Sequence, residues 1–169
     1  PNFSNRERNL LEQLANQIAD TKASLYLQNL GFAVPLSQSI HIIAIAVLFT
    51  CALKINLRIL GVGSLNRSVS DVIGLGLPWM WRALAVCALT GALQTFIEPL
   101  RQFSAAVYFY KIILIGALAL LTWWLQKSSL IKAEKLDSGA PDGATRTFAV
   151  VSTIGWVTVI FFGRFIGYV

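Results

Sequence analysis

Four ionisable side chains, His41, Lys54, Lys111 and Arg164, stand inside apolar runs of the sequence. At the centre of a membrane helix a charge costs about 2.5–3.5 kcal/mol on insertion scales. Each therefore needs a partner, a cavity, or a stem long enough to carry its head to a polar interface. His41 is the sole histidine, which constrains the chemistry. A haem held by two histidines of one chain is excluded, while a single-histidine haem, a haem with a second ligand such as lysine, and a site completed by another subunit stay open. Zinc or copper sites of ordinary composition lack ligands, since Cys51 is almost three helical turns from His41 and Cys87 lies on another apolar run. A lone membrane histidine can also relay protons.

The spacing groups these residues by depth. His41 is about one and a half turns into the first apolar run, Lys111 about two turns into the third, and Arg164 little more than one turn from the end of the fourth. Glu98 closes the second run at the same side, and Gln38 precedes His41 by one turn. Two readings follow: an outward-facing pocket lined by Gln38, His41, Glu98, Lys111 and Arg164, or snorkelling of Lys111 and Arg164 with His41 bonded to a neighbouring helix. Lys54, Asn56 and Arg58 end the first run at the other side, where Lys54 snorkels and Arg58 meets lipid phosphates. The stretch GVGSLNRS lacks the GxGxxG pattern, a Walker lysine and a preceding strand, so it is no phosphate loop. Ser, His and Asp form no credible triad, because the acids lie in loops or at interfaces far from His41 in depth.

The elements that carry these residues follow from composition. With 56% hydrophobic and 13% charged residues and a mean hydropathy of +0.64, the chain is too apolar for a soluble domain, which carries about 25% charged residues. The two cysteines, Cys51 and Cys87, lie inside apolar runs with neither CxxC nor CxxH spacing, which supports neither a disulfide framework nor a zinc knuckle. The net charge of +6 is spread over loops without a basic stripe, so no nucleic-acid partner is expected. Four apolar runs reach the roughly 20 residues that cross a bilayer, at 36–60, 78–98, 104–126 and 147–168. Pro35 suits the first turn of span one, Gly61 its end, and Pro78 reads as the first helical residue of span two. The polar stretch from Lys127 to Arg146 reads as a loop. Residues 1–34 are too polar to span, yet Leu10, Leu11, Leu14, Ile18, Leu25 and Leu27 recur near helical spacing. This segment reads either as an amphipathic helix on the membrane surface or as a solvent helix docked on a partner. The expected fold is an all-α, four-transmembrane-helix bundle over 35–169 with that N-terminal segment.

Basic residues accumulate on cytoplasmic loops. The side with Arg58, Arg67, Arg82, Lys127, Lys132, Lys135 and Arg146 outweighs the side with Arg6, Arg8, Lys22 and Arg101, which predicts both termini outside. Trp79, Trp81, Trp123 and Trp124 fall at the inner ends, as an interfacial aromatic belt does. The first apolar stretch starts too late for a signal-peptide pattern.

The runs SIHIIAIAVLFTCALKINLRILG, FSAAVYFYKIIL and GRFIGY resemble a family of small bacterial four-span membrane proteins of unknown function. Its pattern reads Glu-x-x-His, Asp-Leu-Arg-x-x-Gly, an aromatic stretch ending in Lys, and Gly-Arg-x-x-x-Tyr. The resemblance covers nearly the whole chain and picks out His41, Arg58, Gly61, Lys111, Gly163, Arg164 and Tyr168. Gln38 and Asn56 stand where that family often has acids. More remotely, a first-span His, an Arg near that span's inner end and a third-span Lys are similar to haem-binding membrane protoporphyrinogen oxidases and, more loosely, to copper-resistance membrane proteins. The first likeness implies haem b or a porphyrin near His41 and Lys111, with His41 as the iron ligand. The expected location is a bacterial inner membrane, with termini on the periplasmic side and electron transfer as the candidate activity. The alternative is an accessory subunit or homo-oligomer, because Gly91, Ala92, Ala105, Ala106, Gly116, Ala117 and Ala119 permit close helix approach.

Overall fold

The computed structural model describes residues 5–63, 66–103, 106–127 and 142–165. Seven α-helices and no strand occur among them: α1 (Asn5–Ala19), α2 (Lys22–Asn29), α3 (Ala33–Ile59), α4 (Val69–Ile97), α5 (Pro99–Phe103), α6 (Ala106–Lys127) and α7 (Gly143–Phe165). Helices α3, α4, α6 and α7 are each long and apolar enough to cross a membrane. The chain is thus an all-α, four-helix bundle of a multi-pass membrane protein. The stretch 128–141, most of the expected loop between spans three and four, and Tyr168 lie outside the described residues.

Helix ends follow local chemistry. Gly61 has φ 76° and ends α3 in a Schellman motif: its N–H donates to the Arg58 carbonyl (3.1 Å) and that of Val62 to the Leu57 carbonyl (3.0 Å). Helix α4 starts nine residues before Pro78, which is interior and not the first helical residue. Ser68 caps it, its Oγ accepting from the Asp71 N–H at 3.0 Å. Within a bundle the N–H lost at Pro78 is tolerated. The N-terminal segment forms two helices, because Thr21 caps a new one by accepting from the Ser24 N–H at 3.3 Å. Helix α1 packs on α5, while Ser24 Oγ donates to the Phe96 carbonyl of α4 at 2.9 Å.

Buried positions recur three and four residues apart, the signature of a bundle seam. On α7 they are Thr145, Ala149, Ser152, Trp156 and Val159. On α4, Val69, Ile73, Met80, Ala83, Thr90 and Ile97 are buried, and the same spacing passes through Gly76, Cys87 and Gln94. Leu48, Ala52, Met80, Ala83, Leu118, Trp156 and Val159 form the central core. Helix α3 packs along α4, α7 packs on both α3 and α6, and α4 makes no extended contact with α6. Two glycines permit the closest approaches. A Cβ on Gly76 would stand 2.9 Å from Ile55 Cδ1, and one on Gly155 would stand 2.7 Å from Leu118 Cδ2.

Toward the α3–α4 turn the four helices leave a cavity of about 30 Å³, lined by Asn56, Thr122 and Ser152 among apolar side chains. Asn56, 3% exposed, donates from Nδ2 to Thr153 Oγ1 at 3.0 Å and ties α3 to α7. Trp79, Trp123 and Trp124 are exposed. Arg82 turns back one turn to lie over the Trp79 ring, 5.3 Å from its centroid.

Candidate functional site

The other half of the bundle, nearer α5, gathers its polar side chains on the inward stripes. His41 follows Ser37 by four residues and precedes Ala44 by three, so the α3 stripe carries it against α4. There its Nδ1 lies 2.6 Å from Thr90 Oγ1. Thr90 Oγ1 also lies 2.7 Å from the Val86 carbonyl and 3.3 Å from the Cys87 carbonyl. Both carbonyls only accept, so the one hydroxyl proton goes to Val86 O and the imidazole must donate from Nδ1. In the neutral ring this leaves Nε2 as a bare lone pair. Gly91 of α4 lies beside the imidazole, where a Cβ would stand in ordinary van der Waals contact, 3.6 Å from His41 Cε1.

Lys111 comes from α6 and is half-buried. Its Nζ would stand 3.1 Å from a Cβ on Gly163 of α7, and it interacts electrostatically with His41 and Cys87. The amine therefore stands at the contact of α6 with α7, within electrostatic reach of α3 and α4. Among the described residues the one ion pair is Arg101 with Glu98 (2.9 Å), so no carboxylate pairs with Lys111.

Of the five residues expected to line a pocket, the structure brings two together, His41 and Lys111. Glu98 is occupied by Arg101 at the end of α4. Arg164 is exposed, as is Gly163 before it. Gln38 is half-buried, while at its level Ser37 is the inward residue, 3% exposed, with Oγ 3.5 Å from the Thr90 carbonyl. Cys87, Thr90 and Gln94 are site residues that sequence reasoning missed. Their signal is the 3–4 spacing from Gly76 through Met80, Ala83, Cys87 and Thr90 to Gln94. The Gln94 Nε2 is buried without a partner among the described residues. Thr95 Oγ1 and Tyr108 Oη, 3.1 Å apart, join α4 to α6 near α5.

Chemically, the arrangement offers one oriented nitrogen donor, one embedded amine and one unsatisfied amide N–H. It has no cluster of three His, Cys, Asp or Glu side chains that would hold a metal ion by itself among the described residues. In comparisons with protein-family models, curated proteins and solved structures, the chain matches none.

Proposed function

We propose that this is a bacterial inner-membrane protein, with both termini on the periplasmic side, that holds a haem b or porphyrin-type redox group at His41. The observation that carries the reading is the Nδ1 bond to Thr90. A histidine that ligates a metal through one nitrogen donates from the other to a fixed acceptor, and His41 is held in that tautomer. The donor set fits such a group in part: His41 would supply one nitrogen ligand, and the Lys111 amine, which pairs with no carboxylate among the described residues, would suit a propionate by charge-assisted bonding. Arg164 and Gln38 lie toward the same end of the bundle and serve as outer polar contacts. The bound iron would supply one-electron transfer. His41 orients the group, Thr90 fixes the ring and Lys111 neutralises an acid. The remote likeness to haem-binding membrane protoporphyrinogen oxidases through His41, Arg58 and Lys111 supports the same reading. An absorption spectrum of the purified protein tests it: a Soret band that shifts or disappears in His41→Ala is expected, and a colourless protein after expression with ample haem overturns it.

A second reading, an accessory subunit of a larger membrane assembly or a homo-oligomer, is favoured by α6. Only 11% of its membrane window is buried within the chain, and its exposed Gly116 and Ala117 have open space beside Gly116. Mass measurement of the protein extracted in mild detergent tests this, and a bare monomer refutes it.

A further inference from the structure

We infer that the seam between α4 and α6 is a lateral entrance through which a long-chain carboxylic acid brings its head group from the bilayer to Lys111. This departs from the haem reading at Lys111, whose amine pairs with one carboxylate at a time, and it needs no ligated His41. Three observations carry it. First, α4 and α6 are the neighbours that make no extended contact. They are joined near α5 by the Thr95–Tyr108 bond, and toward the other end Met80 of α4 and Thr122 of α6 face one cavity that all four helices line. Second, the Lys111 amine stands against Gly163 of α7 and within electrostatic reach of Cys87 of α4, and among the described residues no carboxylate pairs with it. Third, Gln94 presents a buried N–H donor without an acceptor among the described residues on the same α4 stripe. Among the described residues the seam thus offers donors and a cation and no acid. Outside it, α4 and α6 expose Val86, Leu89, Leu93, Ile112 and Ile113, a surface on which an acyl chain can stay in lipid.

Charge complementarity selects the ligand class. An alcohol or ester head would leave an embedded ammonium uncompensated, whereas a carboxylate pairs with it through a charge-assisted hydrogen bond. An amine that meets the protonated acid takes up its proton and reaches the same ammonium–carboxylate pair, with no other reactant.

The test uses the full chain in lipid nanodiscs with palmitic acid carrying a photoreactive diazirine on its chain, and peptides mapped after irradiation. Labelling concentrated on α4 and α6 is expected, competed by palmitic acid and not by hexadecanol. Lys111→Met lowers it about tenfold, the loss of one charge-assisted contact, while Lys111→Arg retains it. His41→Ala, which removes the haem ligand, leaves the labelling in place, so the two proposals fail separately. Equal competition by acid and alcohol in the wild-type protein overturns the inference, whether or not the Lys111 variants fold. So does labelling spread evenly over lipid-facing positions such as Ile154, or labelling that His41→Ala removes and Lys111→Met does not.

Discussion

The tautomer of His41 is the most exposed prediction of the site, and Thr90→Val is its perturbation. Valine keeps the shape of threonine and removes the oxygen that lies 2.6 Å from Nδ1. An interhelical hydrogen bond within a membrane is worth about 0.6 kcal/mol on average and up to about 1.7, so α3–α4 packing should weaken by that amount. The same energy sets the tautomer ratio, which should shift roughly three- to eighteenfold toward the Nε2–H form. Since the chain has one histidine, nitrogen NMR of imidazole-labelled protein at alkaline pH gives a single ring to read. The wild type should show a protonated Nδ1 and a bare Nε2, and Thr90→Val a mixture. A wild-type ring protonated at Nε2 refutes the reasoning. Thr90 would then donate to the imidazole, its 2.7 Å approach to the Val86 carbonyl would be no hydrogen bond, and no lone pair would be left for a ligand.

Gly155→Ala gains up to about 1 kcal/mol of helix propensity but drives a Cβ to 2.7 Å from Leu118, an overpacking that costs about 1–3 kcal/mol. Its double-mutant cycle with Leu118→Ala in detergent unfolding should show coupling near 1 kcal/mol, and a value below about 0.5 would deny the contact. Asn56→Ala deletes the bond to Thr153 and should lower stability by about 0.6–1.7 kcal/mol, with Thr153→Ala adding little more. Trp156 buries an indole N–H without a partner among the described residues, so Trp156→Phe should unfold within about 1 kcal/mol of wild type; a larger loss would reveal a partner for that N–H.

The spans were legible because a run of some 20 apolar residues has few other uses. The start of α4 was not, since Gly74, Gly76 and Pro78 outweighed the Ser68–Asp71 cap that lies upstream. Likewise, one amphipathic period across residues 10–27 hid the break at Thr21, a cap made by a single hydroxyl. His41 and Lys111 stood out by charge against an apolar background, whereas Thr90 and Gln94 are uncharged and visible only through the inward stripe. Arg164 and Gly163 show the limit of depth as a guide. Neighbours on a helix point about 100° apart, and that Gly163 borders the Lys111 amine is decided only by the register between α6 and α7.

Lys111 is the residue that stability alone explains least. Its stripe continues through Ile115, Leu118 and Thr122, and a leucine in its place would extend the α6–α7 packing. At a helix centre lysine costs about 2.5–3.5 kcal/mol where leucine gains about 0.3–0.6. The acids whose side chains are described, Glu12, Asp20, Asp71, Glu98 and Asp142, lie in α1 or near the ends of the bundle, so none of these offsets that cost by pairing. Partial exposure of the amine reduces the penalty without removing it. Lys111→Leu should therefore unfold at higher denaturant than wild type, by about 1–3 kcal/mol, while losing the acid-dependent labelling of the α4–α6 seam. If the variant is instead less stable, the lysine is a structural element that reaches an interface by its stem. The polar half of the bundle would then be a packing solution around His41 and Thr90 and not a binding site.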